Sequence, residues 1–341
     1  MFFTSFVIKF IIFYNTHIMY KYFLQINSFL IALFLLAFTL NSCKNKQKKE
    51  DPIVVVNADT VVVNVDTVVV KTSLYTHFVP KNIQIKDYFK YMDSLARAYD
   101  SLVPYDLTAH LIVRTNQWLM DSLENTDYYR QKQKGVFIYD QKELVILKQG
   151  DSLGIPTDTI ARQILAKQAK TMLDVNIPEF KLRIVEGTDT VGTFPVRVGQ
   201  NRITKWAVFD KNAKLRTKTG NGKIVNTYFK STFLDPVDGR ISSKTKRDDG
   251  DSTFLPLMPW LEPEINGQSI GQLIHPTSNE KSLGKAYSNG CIGTGEASMW
   301  RIYYYAPKGT KVRISYRLNS VDSAGTAIKL KDIYGKKPVV K

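Results

Sequence analysis

The spacing of apolar positions divides this chain before any motif is considered. Ile85, Tyr88, Phe89, Met92, Leu95 and Tyr99 recur in steps of three and four, the period of a helix with one buried face. Pro104 interrupts that period, and Leu107 to Leu123 resumes it around Trp118. Residues 82–134 therefore read as mostly helical, with their aromatics as helix core rather than as a glycan-binding face. Gly135 to Lys148 predicts two strands around Gln141-Lys142, and Thr157 to Asp174 a further helix with Thr157 or Asp158 as its N-cap. Beyond Pro178 the period shortens. Phe180–Val185 and Thr190–Val198 predict a hairpin joined at Glu186-Gly187-Thr188-Asp189. Short strands follow at Trp206–Phe209, at Lys223–Tyr228 after a turn at Thr219–Gly222, and at Gln272–His275. Glu296 to Tyr305 is helical, with Met299, Ile302 and Tyr303 inward. Leu318 onward reads as a β appendix. The chain is α+β overall, an α-rich N-terminal region before a mainly β domain.

The first forty residues are strongly apolar, yet neither run in them reaches the roughly 18 uninterrupted apolar residues of a membrane span. Tyr20-Lys21-Tyr22 followed by Phe29–Leu40 has the layout of a secretory signal that begins at Met19. Leu40-Asn41-Ser42-Cys43 closes it and resembles a bacterial lipobox. That resemblance implies cleavage before Cys43, its diacylation, and a protein lipid-anchored to a membrane at the periplasmic face of the cell envelope. An uncleaved anchor is the alternative. Lys44 to Asp51 is a solvated charged linker, and the repeated Asp-Thr-Val-Val-Val at 59–63 and 66–70 reads as short strands or a tether.

Charge narrows the partners. Lys and Arg number 47 against 31 Asp and Glu, a formal net charge of +16, which favours an anionic surface or polymer. The basic residues are scattered rather than grouped with aromatics, and no nucleic-acid motif is present, so nucleic acid is excluded as the partner. Two cysteines, Cys43 and Cys291, are too few for a disulfide framework, and four histidines, with His275 alone in the C-terminal half, offer no metal-ligand cluster. No metal or cofactor is expected. Cys291 is the only cysteine beyond the leader and His275 the only histidine beyond position 110. A thiol attacks carbonyls as the thiolate and needs a base or cation beside it at neutral pH, so His275 is the one imidazole of this half that can activate Cys291. Ser288-Asn289-Gly290-Cys291 places small and polar residues before the thiol, where a tight turn can aim backbone N–H groups at one point as an oxyanion hole. Gly290 permits a positive φ there.

The stretch resembles the L,D-transpeptidases (YkuD-type catalytic domain), whose signature sets a His before a Ser-His-Gly-Cys turn. Ile274, His275, Thr277, Leu283-Gly284, Ser288, Gly290, Cys291 and Ile292 carry the match, with Leu182–Val185, Phe194–Gly199 and Pro307–Ile314 as flanking strands. Asn289 stands where the signature has His, and Gly293 where it often has Arg. Pro276 replaces a Gly or Ser whose carbonyl orients the catalytic His, and proline retains that carbonyl. The resemblance implies a sandwich or barrel in which Cys291 is the nucleophile and His275 the base. Asn289, Gly290, Ser288 and Pro276 would position the substrate or the oxyanion. The implied substrate is a peptidoglycan stem peptide, joined through a thioester into a 3→3 crosslink. Hydrolysis by a carboxypeptidase or crosslink-cleaving peptidase on the same fold, an inactive wall-binding lipoprotein, and a scaffold built on residues 50–176 are the other readings. The expected division is 1–43 signal, 44–80 linker and valine-rich segment, 81–176 accessory region, 177–317 catalytic domain and 318–341 appendix. Cys43→Ala should release the protein from membrane fractions; a mature, unmodified N-terminus upstream of Cys43 rules lipidation out.

Overall fold

Helical period builds helices where it is strongest. Ile85, Tyr88, Met92, Leu95 and Tyr99 all bury along α1 (Ile85–Asp100). Then come α2 (Ala109–Thr115), α3 (Gln117–Glu124) and α4 (Tyr128–Gln133). Thr108 and Asp127 open α2 and α4 by accepting the N–H of Leu111 and Arg130, which relieves orphan donors of the first turn. The strand β1 (Ser73–Phe78) pairs antiparallel with β2 (Ser152–Pro156), and α5 (Asp158–Ala169) follows, capped by Thr157. The computed structural model describes residues 56–57, 72–206, 211–235, 237–322, 324–335 and 339–340, so the signal, Cys43 and the valine repeats lie outside it. So does most of the strand expected at Trp206–Phe209. Among the described residues no helix is long and apolar enough to cross a membrane.

Two expectations fail locally. Between Gly135 and Lys148 only Val145–Leu147 is extended, because Asp140 accepts the Lys142 N–H and starts a 3-10 turn at Gln141–Glu143. The helix expected to reach Asp174 stops at Ala169, and Thr171–Asn176 becomes strand β3. Leu173 and Val175 are fully buried there, and hydrogen-bonded neighbours on both edges favour an extended backbone over another helical turn.

Alternation after Ile177 closes into a barrel. Its further strands are β4 (Lys181–Glu186), β5 (Asp189–Gly199), β6 (Gly220–Lys230), β7 (Met258–Ile265), β8 (Ile274–Pro276), β9 (Ala286–Ser288), β10 (Ile292–Thr294) and β11 (Lys311–Ser315). The hydrogen-bonded order is β6-β11-β3-β4-β5-β10-β8-β7, and β7 pairs again with β6. Closure leaves no free edge among these strands. Two joins are parallel, β11 with β3 and β8 with β10; β9 lies parallel to β5 off the ring. The expected turn at Thr219–Gly222 is instead the start of β6: a Cβ on Gly222 would lie 1.7 Å from the Glu264 carbonyl oxygen, so glycine there lets two backbones meet. Leu182, Ile184, Val196, Val198 and Leu261 are buried in the barrel, and α6 (Glu296–Tyr305) packs Met299, Trp300 and Ile302 against the same core. The appendix forms a hairpin of Asn319–Val321 with Ala327–Lys329.

Helix α6 joins the two parts of the chain. Asp127 accepts the N–H of Ala297 at 2.9 Å, and Glu296 accepts the N–H of Tyr128 at 3.2 Å, so α4 and α6 cap each other. Glu296 also pairs with Arg247, both side chains almost fully buried. Tyr88 and Tyr304 share a 2.7 Å hydrogen bond across the same seam, and Arg114 of α2 reaches Glu186 of β4 at 2.7 Å. The segment Lys244 to Asp251, which reads in sequence as a solvated flap, is anchored here by Arg247. Removing one member of a buried ion pair strands the other, at a cost of about 3–5 kcal/mol, whereas an apolar replacement of both is far milder. Glu296→Ala should therefore destabilise the protein by about that much in denaturant unfolding, and Glu296→Leu with Arg247→Met together by much less than the two singles summed. Additive singles defeat the coupling.

Candidate active site

Parallel pairing of β8 and β10 sets Ile274 opposite Ile292 and His275 opposite Gly293. Ile274 and Ile292 are buried in the core. Period-two alternation then turns His275 and Gly293 to the other face of the sheet. Cys291 immediately precedes β10. His275 is itself buried, and its Nδ1–H donates to the carbonyl of Pro276 at 2.8 Å. The indole of Trp260 stacks on the imidazole with centroids 4.3 Å apart and planes 13° apart. A donor at Nδ1 leaves Nε2 as the unprotonated nitrogen of the neutral ring. The carbonyl contact available to proline in the sequence is thus made.

The turn before Cys291 is locked from several sides. Ser288 Oγ donates to the Cys291 carbonyl at 2.6 Å and accepts the Gly290 N–H at 3.2 Å. Thr217 Oγ1 donates to the Gly290 carbonyl at 2.9 Å and accepts the Gly199 N–H at 2.8 Å. Gly290 has φ +113°, and a Cβ there would lie 2.5 Å from Gln272 Nε2. Gln272 in turn bridges the backbone of Arg216 and Lys218. Because the Gly290 N–H is engaged by Ser288, the donors left for an oxyanion are those of Asn289 and Cys291. The Leu273 N–H donates to Cys291 Sγ at 3.3 Å.

Electrostatics leave the pair neutral. Burial, then the nearby Arg197, lower the His275 pKa to about 3 against the opposing hydrogen bond to Pro276. Burial raises the Cys291 thiol, with Leu273 N–H and Arg197 pulling the other way. The thiolate that pairing with an imidazole suggests in sequence is therefore not the resting form: thiol and imidazole are both uncharged at neutral pH.

Cys291, His275 and Asn289 open on one cavity of about 750 Å³, walled also by Trp260, Tyr287 and Phe233. A second, of about 350 Å³, reaches His275 and Pro276 from the side of Thr277–Asn279 and the 244–254 hairpin. Arg197 lines both. Arg197, Trp260 and the Leu273 N–H are absent from the sequence reading. Arg197 carried one signal, as the polar position between buried Val196 and Val198; its cross-strand partner, Gly293, is visible only in the topology. A Cβ on Gly293 would lie 2.6 Å from Arg197 Nε, so the guanidinium covers the position where the resembling signature often has arginine. Among the described residues no group of His, Cys, Asp and Glu is arranged to hold a metal ion.

Residues 170–314 match the family model of the L,D-transpeptidase catalytic domain, YkuD. The match covers under half of the chain and is confined to this stretch. Among solved structures, the chain is similar to an L,D-transpeptidase from Mycobacterium tuberculosis H37Rv (14% identity, 43% of this chain and 57% of that one, TM-score 0.28). It is also similar to one from Xylanimonas cellulosilytica (11% identity, 70% and 97%, TM-score 0.31), and to the E. faecium catalytic domain acylated by ertapenem (17% identity, 43% and 97%, TM-score 0.28). The chain spans 57% of the length of the M. tuberculosis protein. No curated protein sequence matches it.

The depressed His275 pKa has a consequence for stability. In the unfolded chain a His titrates near 6.5, so between there and about pH 3 the unfolded state binds the extra proton. Stability contributed by neutral His275 is complete above about pH 6.5 and is lost as pH falls toward 3. His275→Gln should flatten the acid side of the stability–pH curve, leaving the parts due to His110, which burial lowers to about 4, and to His77, which burial also lowers. Identical acid slopes for wild type and variant in urea unfolding contradict a buried neutral His275.

Proposed function

We propose that this chain is a cysteine-dependent peptidoglycan L,D-transpeptidase that forms 3→3 crosslinks through a thioester acyl-enzyme. The observation that carries the reading is the 2.8 Å bond from His275 Nδ1 to the Pro276 carbonyl, which aims the basic Nε2 away from the backbone in the cavity that also holds Cys291. In this mechanism Cys291 Sγ attacks the carbonyl of the third residue of a donor stem while His275 Nε2 takes the thiol proton. The oxyanion is received by the N–H groups of Asn289 and Cys291. Collapse breaks the amide bond, and the imidazolium protonates the leaving D-alanine amine. An acceptor side-chain amine then attacks the thioester and gives a proton to His275, and the sulfur leaves and is reprotonated. A buried, neutral pair fits proton transfer concerted with attack, because the charge forms only as the carbonyl is engaged.

Two cavities meeting at His275 favour transfer over hydrolysis, since an acceptor peptide needs room that water does not. Diacylation at Cys43 would hold the domain at the envelope, beside its polymer. The test is product analysis of muropeptides after incubation of isolated wall with the purified protein. Expected are 3→3 linked dimers, abolished in Cys291→Ala and reduced by about 10²–10⁴ in His275→Ala, with the double variant hardly worse than either. Shortened stems without dimers turn the assignment to a carboxypeptidase, and loss of existing crosslinks to an endopeptidase. Wall unchanged by the wild type leaves a binding protein and defeats the proposal.

A further inference from the structure

Most buried or half-buried arginines here have a carboxylate. Arg114 has Glu186, Arg183 has Glu179, Arg247 has Glu296, and Arg301 has Glu124. Arg197 and Arg202 depart from that pattern, and both line the Cys291 cavity. Among the described residues neither makes an ion pair. The Nε atoms of both are buried without a hydrogen-bond partner, and the Arg197 guanidinium donates from Nη1 to the neutral Ser282 Oγ at 3.3 Å. A buried donor left unmade is expensive, and a charged one more so. Lys230 adds a third cation to this cavity. The opposing acid is Asp235, whose carboxylate already accepts the Val237 N–H at 2.9 Å.

The placement of Arg197 is built into the barrel. It lies across the β5–β10 ladder from Gly293, and any side chain at 293 would collide with its Nε. Glycine at 293 therefore gives the guanidinium its seat two residues from Cys291. A planar fork of N–H donors in a half-enclosed site matches a carboxylate, which accepts two such bonds side by side.

We propose that Arg197 and Arg202 form a receptor for a carboxylate of the donor peptide, set beside Cys291, so that the site takes an anionic peptide in preference to its amide. This rests on Cys291 as the reacting thiol. It puts the specificity of the large cavity in two side chains outside the Cys–His pair, and makes amidation of that peptide carboxylate a chemical change the site reads.

Two small alkylating agents separate this role from others. Iodoacetate and iodoacetamide both form the same S–CH₂ bond and expel iodide, but only iodoacetate carries a carboxylate. In the full chain, peptide mass spectrometry follows modification of Cys291 by each. Arg197→Gln and Arg202→Gln should each lower the iodoacetate-to-iodoacetamide rate ratio by about tenfold, the worth of roughly one charge-assisted hydrogen bond, and Arg197→Lys should retain most of it. Slowing of both reagents by the same factor, as loss of a purely structural or thiolate-stabilising residue gives, overturns the receptor; so does an unchanged ratio. If Arg197→Gln does not fold, Arg202→Gln and Arg197→Lys carry the same test. A second arm uses an N-acetylated dipeptide ending in D-alanine and its C-terminal amide as protectants against iodoacetamide. The acid should protect Cys291 better in wild type and no better in Arg202→Gln; equal protection by acid and amide in wild type also overturns the receptor. Both arms need a reactive thiol and no wall product, so failure of the transpeptidase reading registers only in the muropeptides.

Discussion

A pairing of two three-residue strands holds this site together. Ile274–Pro276 and Ile292–Thr294 run parallel, and parallel neighbours cannot be joined by a tight turn. The chain between them has to leave the sheet and return, and it uses that excursion to build the turn at Ser288–Cys291. Ile274 and Ile292, buried side by side, resist any slip of register, because a shift by one residue would exchange core and cavity faces. Without that pairing a histidine and a cysteine so far apart in sequence have no reason to meet. The ring supports it from both edges: β7 backs β8 and carries Trp260 onto His275, while β5 backs β10 and carries Arg197 over Gly293.

This explains what the sequence disclosed and what it withheld. The turn before Cys291 was legible because its chemistry is local: Gly290 at positive φ, and Ser288 bonded within three residues. The α1 face and α6 were legible because helical period is local too. Arg197 and Trp260 were not, since each acts across a ladder from a partner in another strand. Thr171–Asp174 reads as helix in sequence for the same reason, the extended form of Thr171–Asn176 being decided by β4 and β11 on either side. The Lys244–Asp251 segment looked like a solvated loop because its charges are dense, yet Arg247 is buried through a partner on α6.

Burial sets the chemistry of the pair more than charge does. A solvent-exposed thiol beside an imidazolium would rest as a thiolate; here desolvation holds both partners neutral. Arg197 acts unevenly on them, easing ionisation of the thiol and opposing protonation of the ring. Such a site keeps Nε2 free as a base well below the usual range of histidine. It also favours the protonated thiol over the thiolate.

The α-rich region is hydrogen-bonded to a segment that lines the smaller cavity. Tyr129 of α4 donates to the Ser278 carbonyl at 2.9 Å and accepts the Asp248 N–H at 2.9 Å, so one hydroxyl ties α4 to Ser278 of the smaller cavity and to the Lys244–Asp251 segment. Lys132 on the same helix pairs with Asp249 and Asp251 at the tip of the hairpin. These exposed pairs are worth little alone, but Arg247 and Glu296 beneath them are buried and costly to separate. The helix, the hairpin and Ser278 are thus held in one network of contacts. A region whose sequence reads as a separate helical module is fixed to the barrel beside the smaller cavity.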